Sequence, residues 1–353
     1  MINSVELKNF GPIEQLDWQN LGKINLIIGN NGCGKSFILK GLYSAVKTIE
    51  EYKRGDNPDS IDEILRRKLY WTFQSEKISH LVNLSSNNDL LFNLAFNQKK
   101  FSYSFNKDSS KTQNFNEVSA YEIEPRSDNS IFLPAKEVLS LYHLILNFRE
   151  QKQLFGFDDT YLDLAKALNQ PALLPRELAI EFVECLHNDY ELAVINSRKI
   201  LESIVDGIIE FDDIKKRWYF RKGEQRFPMG VTAEGIKKIA ILDTLLSNNY
   251  LSKDSIIFID EPESNLHPTA ISQLLDIIAL LAEHGMQFFL ASHSYFVIKK
   301  LFLIAQEKQI SIPVLSYQDN EWVQTDLKDD MPSNPIISES IRLFKEEMFL
   351  ASR

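Results

Sequence analysis

Apolar positions in the first fifty residues change period twice. Val5, Leu7 and Phe10 lead up to the Gly11-Pro12 break, which predicts a strand closed by a turn. Ile24, Leu26, Ile27 and Ile28 form a short apolar run that stops at Gly29, as a buried strand would. From Phe37 to Ile49 the apolar residues fall at 37, 38, 42, 45, 46 and 49, the spacing of an amphipathic helix. The expected order is strand, turn, strand, loop, helix.

Beyond residue 50 the pattern changes. Leu90–Phe96 and Phe101–Phe105 are aromatic-rich and β-prone, and Asn97, Gln98, Lys99 and Lys100 between them predict a hairpin. Asn106 to Asn116 reads as a polar loop, and Ile131, Phe132 and Leu133 as a buried strand stopped by Pro134. Residues 136 to 205 read as helical. Within Arg176–Val205, Leu178, Phe182, Cys185, Leu186, Ala193, Ile200 and Ile204 fall near one stripe, and thirty helical residues would reach roughly 45 Å. After 207 strands and helices alternate again. Ile208–Phe211 and Trp218–Phe220 predict a hairpin, Ile236–Leu246 a helix, Ile256–Ile259 a strand, Ala270–Ala282 a helix, Gln287–Leu290 a strand and Ile336–Phe349 a closing helix. The expected division is an α/β head over 1–50 plus 207–353, a β-rich lobe over 51–135 and a helical insertion or arm over 136–206.

Composition narrows the class. With 44% apolar and 25% charged residues in 353, the chain is an ordinary globular protein and not a disordered one. No apolar run approaches the ~20 residues of a membrane span, and the N-terminal pattern shows no apolar leader. The two cysteines, Cys33 and Cys185, cannot build a disulfide framework and suit a reducing compartment. A cytoplasmic protein without membrane attachment is expected. The formal net charge of −10 argues against a general nucleic-acid coat, although a local basic groove remains compatible with it.

The chemistry lies in three segments. Gly29-Asn30-Asn31-Gly32-Cys33-Gly34-Lys35-Ser36 satisfies G-x-x-x-x-G-K-[ST], between a predicted strand and a predicted helix. In such a loop backbone N–H groups and the helix N-terminus cradle phosphates. Lys35 would reach the β- and γ-phosphates of ATP, and Ser36 would ligate Mg²⁺. The second segment, 256–268, is a buried strand ending in adjacent carboxylates. Asp260 there would hold Mg²⁺ through its water shell, and Glu261 would orient or deprotonate the attacking water. In the third, Gln287–Leu290 is followed by Ala291-Ser292-His293-Ser294, and a histidine at a strand end can hydrogen-bond a γ-phosphate. Cys33, at a helix N-terminus, invites a lowered thiol pKa and a redox switch, although a small residue tolerated in the loop is the simpler reading.

GNNGCGKS, FIDEPESNLHP and LASHS together resemble ABC-type ATPases of the RecF/SMC/OLD group, and in particular compact AAA family ATPases of bacterial defence systems. FLPAKEVLS (132–140) and FGFDDTYLDLA (155–165) share that likeness. The resemblance implies a P-loop NTPase with an ABC-type head that dimerises around two nucleotides. It implies an S-x-G signature at the start of a helix, where this chain has VTAEGIKKIAIL (231–242). Gly235 fits, but Ala233 replaces the serine and Thr232 lies one residue early, so nucleotide contact by Thr232 and Gly235 across the dimer is an expectation with a degenerate motif. Glu234 would repel phosphate unless it faces away. Where the resemblance implies a glutamine after Ile131–Leu133, Lys136 and Glu137 stand instead; either could approach the nucleotide or simply start a helix. His267, before Pro268, falls where a loop communicating between protomers would lie, or opens a helix.

The partner is less defined. Lys215, Lys216, Arg217, Arg221, Lys222 and Arg226 interleave with Trp218, Tyr219 and Phe220, a pattern that can track DNA or form an ordinary half-buried hairpin. No metal-ligand spacing of a nuclease appears. The preferred expectation is an ATPase homodimer, or a higher assembly, that controls a separate nuclease or toxin in anti-phage defence. The alternatives are a repair ATPase that clamps DNA, a transporter's nucleotide-binding subunit, which the degenerate signature disfavours, and a non-catalytic scaffold, which Glu261 disfavours.

Overall fold

The computed structural model describes residues 1–56, 58–107, 115–119, 123–124, 126–170, 189–212 and 214–351. In chain order the elements are β1 (Ile2–Phe10), β2 (Ile13–Trp18), β3 (Ile24–Ile28), α1 (Lys35–Glu51), α2 (Ile61–Phe73), β4 (Leu90–Phe96), β5 (Lys99–Phe105), β6 (Glu117–Ser119) and β7 (Ser130–Leu133). Then come α3 (Tyr142–Leu146), α4 (Asp159–Leu168), α5 (Asp189–Val205), β8 (Ile208–Asp212), β9 (Arg217–Lys222), β10 (Gln225–Pro228) and α6 (Glu234–Ser247). The last are β11 (Ile256–Asp260), α7 (Pro268–Glu283), β12 (Gln287–Ser292), α8 (Tyr295–Lys308), β13 (Pro313–Gln318), β14 (Glu321–Asp326) and α9 (Pro335–Ala351). The chain forms two compact units, residues 1–39, 77–123 and 289–353 in one and 40–76 and 124–288 in the other. No helix among the described residues is long and apolar enough to cross a membrane.

In the first unit an antiparallel sheet runs in the order β2-β1-β4-β5-β6. Its strands alternate, and the inward face is aromatic: Phe92 stacks on Tyr103 at 4.7 Å and Tyr103 on Phe105 at 6.2 Å, while Phe10 meets Phe92 edge-on at 5.9 Å. Such contacts add to the burial energy of large rings. The β4–β5 turn is tighter than expected, because Asn97 and Gln98 both take positive φ and Lys99 and Lys100 belong to the strand. β3 is buried at every position and pairs in parallel with β13, which pairs antiparallel with β14. Asp319 and Asn320, both left-handed, close that last hairpin.

In the second unit β11 pairs in parallel with β7, with Ile259 opposite Leu133. The helix after the phosphate loop departs from the amphipathic expectation. From Gly41 to Glu50 every residue of α1 is buried, and several of its polar side chains find partners within the helix. Ser44 donates to Lys40 O and Thr48 to Ser44 O at 2.8 Å, and Lys47 pairs with Glu50 at 2.8 Å. A further ionic cluster joins α1, α2 and α4. Buried Lys68 lies 2.6 Å from Glu51 and 3.5 Å from both Asp159 and Asp163, while Arg149 binds Asp159 at 2.6 Å. Removing one member of such a cluster would strand the others, at about 3–5 kcal/mol.

The region 51–135 also holds more helix than expected. α2 is capped by Ser60 and Glu63 in a capping box, a signal present in the sequence. The described residues of 136–206 form α3, a π-helical turn at Asn147–Gln151, α4 and α5. Most of the polar loop over Asn106–Asn116, and residues 176–188 of the helical stripe with Cys185, lie outside the described residues.

Candidate nucleotide site

The phosphate loop belongs to the first unit. β3 ends at Ile28, and Gly29 to Gly34 lead directly into α1 at Lys35, so the backbone N–H groups of the first helical turn face the loop. Gly34 is constrained twice. Its φ is +104°, and a Cβ there would lie 2.8 Å from Ile13 and 3.1 Å from Pro12. The Gly11-Pro12 turn therefore abuts the phosphate loop, a contact that the break in the apolar pattern did not reveal. Lys35 is 8% exposed, and its ammonium donates to Gly29 O at 2.8 Å and to Asn30 O at 3.0 Å. Asn30 and Asn31 are exposed and Ser36 half-buried. Burial pushes the Cys33 thiol above its ordinary pKa despite nearby Lys35. This removes the basis for an activated thiolate and leaves the small loop residue.

His293, in the same unit, is exposed immediately after β12. It sits between Ser292 and Ser294, whose N–H donates to the Ser292 hydroxyl at 3.0 Å. α8 begins two residues later.

The second unit carries the acidic segment. β11 delivers Asp260 as its last residue, and the chain turns at Glu261, which has φ +49°. Proline at 262 disfavours the right-handed helical region for the residue before it, which favours a turn at this point. Ser264 N–H donates to Glu261 O at 3.0 Å. Lys238 of α6 also donates to Glu261 O, to the Ser264 hydroxyl at 2.7 Å and to Asp260 O at 3.4 Å. Burial pushes the Lys238 ammonium down to about 8, against the nearby carboxylates of Glu263, Asp260 and Glu261. Tyr161 of α4 lies in the same field: burial, then Asp158, Asp260 and Glu137, push its phenol up to about 12. Neither Lys238 nor Tyr161 was expected to act there. A small pocket, partly open to solvent, borders Lys238, Ser264, Asn265, Glu137 and Glu234.

The degenerate signature takes a defined form. α6 starts at Glu234, with Ala233 at the cap and no side-chain capping bond. The Thr232 hydroxyl donates to Pro228 O at 3.4 Å. Glu234 binds Lys237 at 2.6 Å, and buried Lys237 also reaches Glu137 at 3.4 Å and Ser140 at 3.1 Å. The negative charge of Glu234 is thus largely neutralised within the protomer. Gly235 is required by its surroundings, since a Cβ there would lie 2.5 Å from Asn265 O and 2.9 Å from Leu266. Alanine is ordinarily favoured over glycine in a helix by ~1 kcal/mol. Here Gly235→Ala is expected to destabilise by about 1–3 kcal/mol through overpacking, and a urea midpoint equal to or above wild type would show that the two segments separate freely.

Three other positions resolve. Lys136 is exposed, whereas Glu137 accepts from Ser140 N–H at 2.9 Å and so caps the turn after β7. His267 caps α7, its Nδ1 accepting from Thr269 N–H at 3.3 Å ahead of Pro268. Three of the basic residues around β9, Arg221, Lys222 and Arg226, face acids. Arg226 pairs with Glu210 at 2.7 Å and Asp212 at 3.1 Å, Arg221 with Glu210 at 3.3 Å, and Lys222 with Asp206 at 2.5 Å. Trp218 and Phe220 are buried, and Arg226 covers the Tyr219 ring at 3.9 Å. This is the half-buried hairpin of the two readings, extended by β10 into three strands.

Among the described residues no cluster of three or more His, Cys, Asp or Glu forms a metal cage. Mg²⁺ keeps much of its water and is commonly shared with substrate phosphates, so it needs no such cage. When bound, Mg²⁺ would neutralise charge on the β- and γ-phosphate oxygens.

The family described as "AAA domain, putative AbiEii toxin, Type IV TA system" matches residues 24–299, a span that contains all three motifs. The chain is similar to a protein named ATP/GTP phosphatase from Helicobacter pylori, 22% identical over 362 residues, covering 91% of this chain and 96% of the relative. Among solved structures it is similar to an Smc head bound to the C-winged helix domain of ScpA (TM-score 0.55, 14% identity, 93% of this chain and 98% of the other). It is likewise similar to an Smc head with an extended coiled coil, bound to the C-terminal domain of ScpA from Pyrococcus furiosus (TM-score 0.51, 14% identity, 97% and 99%). These likenesses show the fold. The chain belongs to this AAA-domain family and is an ATPase, with a mixed α/β fold shared with SMC heads.

Proposed function

We propose that this ATPase is a cytoplasmic nucleotide switch that dimerises on binding ATP with Mg²⁺ and thereby holds or releases a separate effector in anti-phage defence. Gly29 to Ser36 cradle the phosphates, with Lys35 on the β- and γ-phosphates. Ser36 and Asp260 hold the metal, Glu261 orients or deprotonates the water, and His293 reports the γ-phosphate. Thr232 and the helix start at Gly235 face the nucleotide of the second copy.

The observation that carries this reading is the match over 24–299 to a family whose description refers to a toxin–antitoxin system. An intact Glu261 after Asp260 supports hydrolysis rather than passive sensing. A protein effector, rather than DNA along β8–β10, is favoured because Arg221 and Arg226 of that sheet are engaged by Glu210 and Asp212. The Smc heads solved with ScpA domains illustrate that this fold can dock a protein partner.

The test is affinity purification of tagged Glu261→Gln protein from its native host with ATP and Mg²⁺ present throughout. A nuclease or toxin recovered in stoichiometric amount supports the switch. DNA recovered without a protein partner replaces it with the repair clamp. Light scattering with and without ATP tests dimerisation directly, and an unchanged mass removes it.

A further inference from the structure

We propose that Lys238 is a positioning residue for hydrolysis, fixing the turn from Asp260 to Ser264 so that the Glu261 carboxylate projects in its working direction. This rests on the reading of Glu261 as the group that handles water. An ammonium carries three N–H donors and no acceptor, and Lys238 places three acceptors around its nitrogen: Glu261 O, the Ser264 hydroxyl and Asp260 O. Two of these are the carbonyls of the two candidate active carboxylate residues, so Lys238 holds their backbone.

The backbone needs such a hold. Glu261 is left-handed at φ +49°, a conformation that Cβ–carbonyl crowding disfavours for a non-glycine residue. Its carbonyl accepts from both Ser264 N–H and Lys238. Ser264 in turn donates to Ala135 O at 3.3 Å, which ties the turn to the segment after β7. Gly235 and Lys238 are three residues apart on α6 and therefore share a face. Gly235 packs against Asn265 O while Lys238 grips Glu261 O. The helix that carries the signature thus touches both ends of the turn, and a displacement of its first turns would re-aim Glu261.

The test uses the full chain and compares Lys238→Met, Lys238→Arg, Glu261→Gln and the Lys238→Met/Glu261→Gln double variant. Binding is measured by titration of Mg·ATP, and chemistry by single-turnover hydrolysis. Lys238→Met is expected to bind within about threefold of wild type and to hydrolyse about a hundredfold more slowly, the scale of an ångström-sized misplacement. Lys238→Arg should recover part of that rate. The double variant should be no slower than Glu261→Gln alone, because Lys238 acts through Glu261. Additive losses, or hydrolysis by Lys238→Met within about twofold of wild type while Glu261→Gln is slow, would overturn the proposal. Normal hydrolysis by Glu261→Gln would instead remove the reading beneath it. If Lys238→Met does not fold, Ser264→Ala removes one of the three acceptors and keeps the charge. A severalfold slower hydrolysis at unchanged affinity is then expected, and an unchanged rate overturns the proposal.

Discussion

Lys35→Ala is expected to weaken ATP binding by about a hundredfold or more. Lys35 would make two hydrogen bonds, one to each of the β- and γ-phosphates; a hydrogen bond to a charged group is worth about 1.5–3 kcal/mol, and every 1.4 kcal/mol is tenfold in affinity. Among the described residues the Lys35 ammonium meets no competing carboxylate. It donates only to the neutral carbonyls of Gly29 and Asn30, at 2.8 and 3.0 Å. Phosphate oxygens, being charged, make stronger acceptors than carbonyls, so the side chain is held near the loop without being locked away from it. Because those two bonds also brace the loop, the measurement must separate binding from folding. Calorimetric titration with ATP and Mg²⁺ reads the affinity, and thermal unfolding of the same sample reads the loop's contribution to stability. Retained affinity in a folded Lys35→Ala protein would sink the phosphate-site assignment.

The segments with a strong local signal were legible from the residues. The run before Gly29, the glycine spacing after it and the strand ending at Asp260 all appear in the structure at the expected places. Each depends on chemistry within one short stretch: a fully buried strand has few polar residues, and a phosphate loop needs glycines. Elements with weak local signals were missed. β2 alternates only as Ile13, Leu16 and Trp18, β13 mixes buried Pro313 and Ser316 with aliphatic residues, and α8 follows the motif at His293 without a side-chain cap bond. α2 is a different failure, since its capping box was readable but lay in a stretch whose aromatic content suggested strand.

The candidate site divides in the same way. Residues that would touch nucleotide are set by motif spacing. The residues that hold them in place come from distant parts of the chain, and local spacing has no means of finding them. Pro12 and Ile13 approach Gly34 across more than twenty residues, and Lys238 reaches Glu261 from another helix. The charge pattern was ambiguous for a related reason. The lysines and arginines of 215–226 look like a basic patch in one dimension, but pairing β8 with β9 brings Glu210 opposite Tyr219 and Asp212 opposite Arg217. Cross-strand registry then lets Glu210 and Asp212 meet Arg221 and Arg226. Glu234, which looked repulsive toward phosphate, is offset by Lys237 one helical turn later.

Glu261→Gln is expected to bind ATP with near-wild-type affinity and to hydrolyse it about 10²–10⁴-fold more slowly, the usual loss when a general base is removed. Glutamine matches the carboxylate in shape and still accepts a hydrogen bond through its amide oxygen, but it cannot take a proton from water. The backbone supports a clean substitution. Left-handed Glu261 is held through its carbonyl by Ser264 N–H and by Lys238, and those bonds are indifferent to what the side chain carries. Stability should therefore change little, and the defect should fall on turnover rather than on binding. If ATP closes a dimer that hydrolysis reopens, the variant should also accumulate as the closed, nucleotide-bound species, visible as a doubled mass by light scattering after ATP is added. Slow hydrolysis without accumulation would keep Glu261 as the base and discard nucleotide-driven closure. Near-normal hydrolysis would remove Glu261 from the chemistry, leaving Asp260 or a group supplied from elsewhere to orient the water.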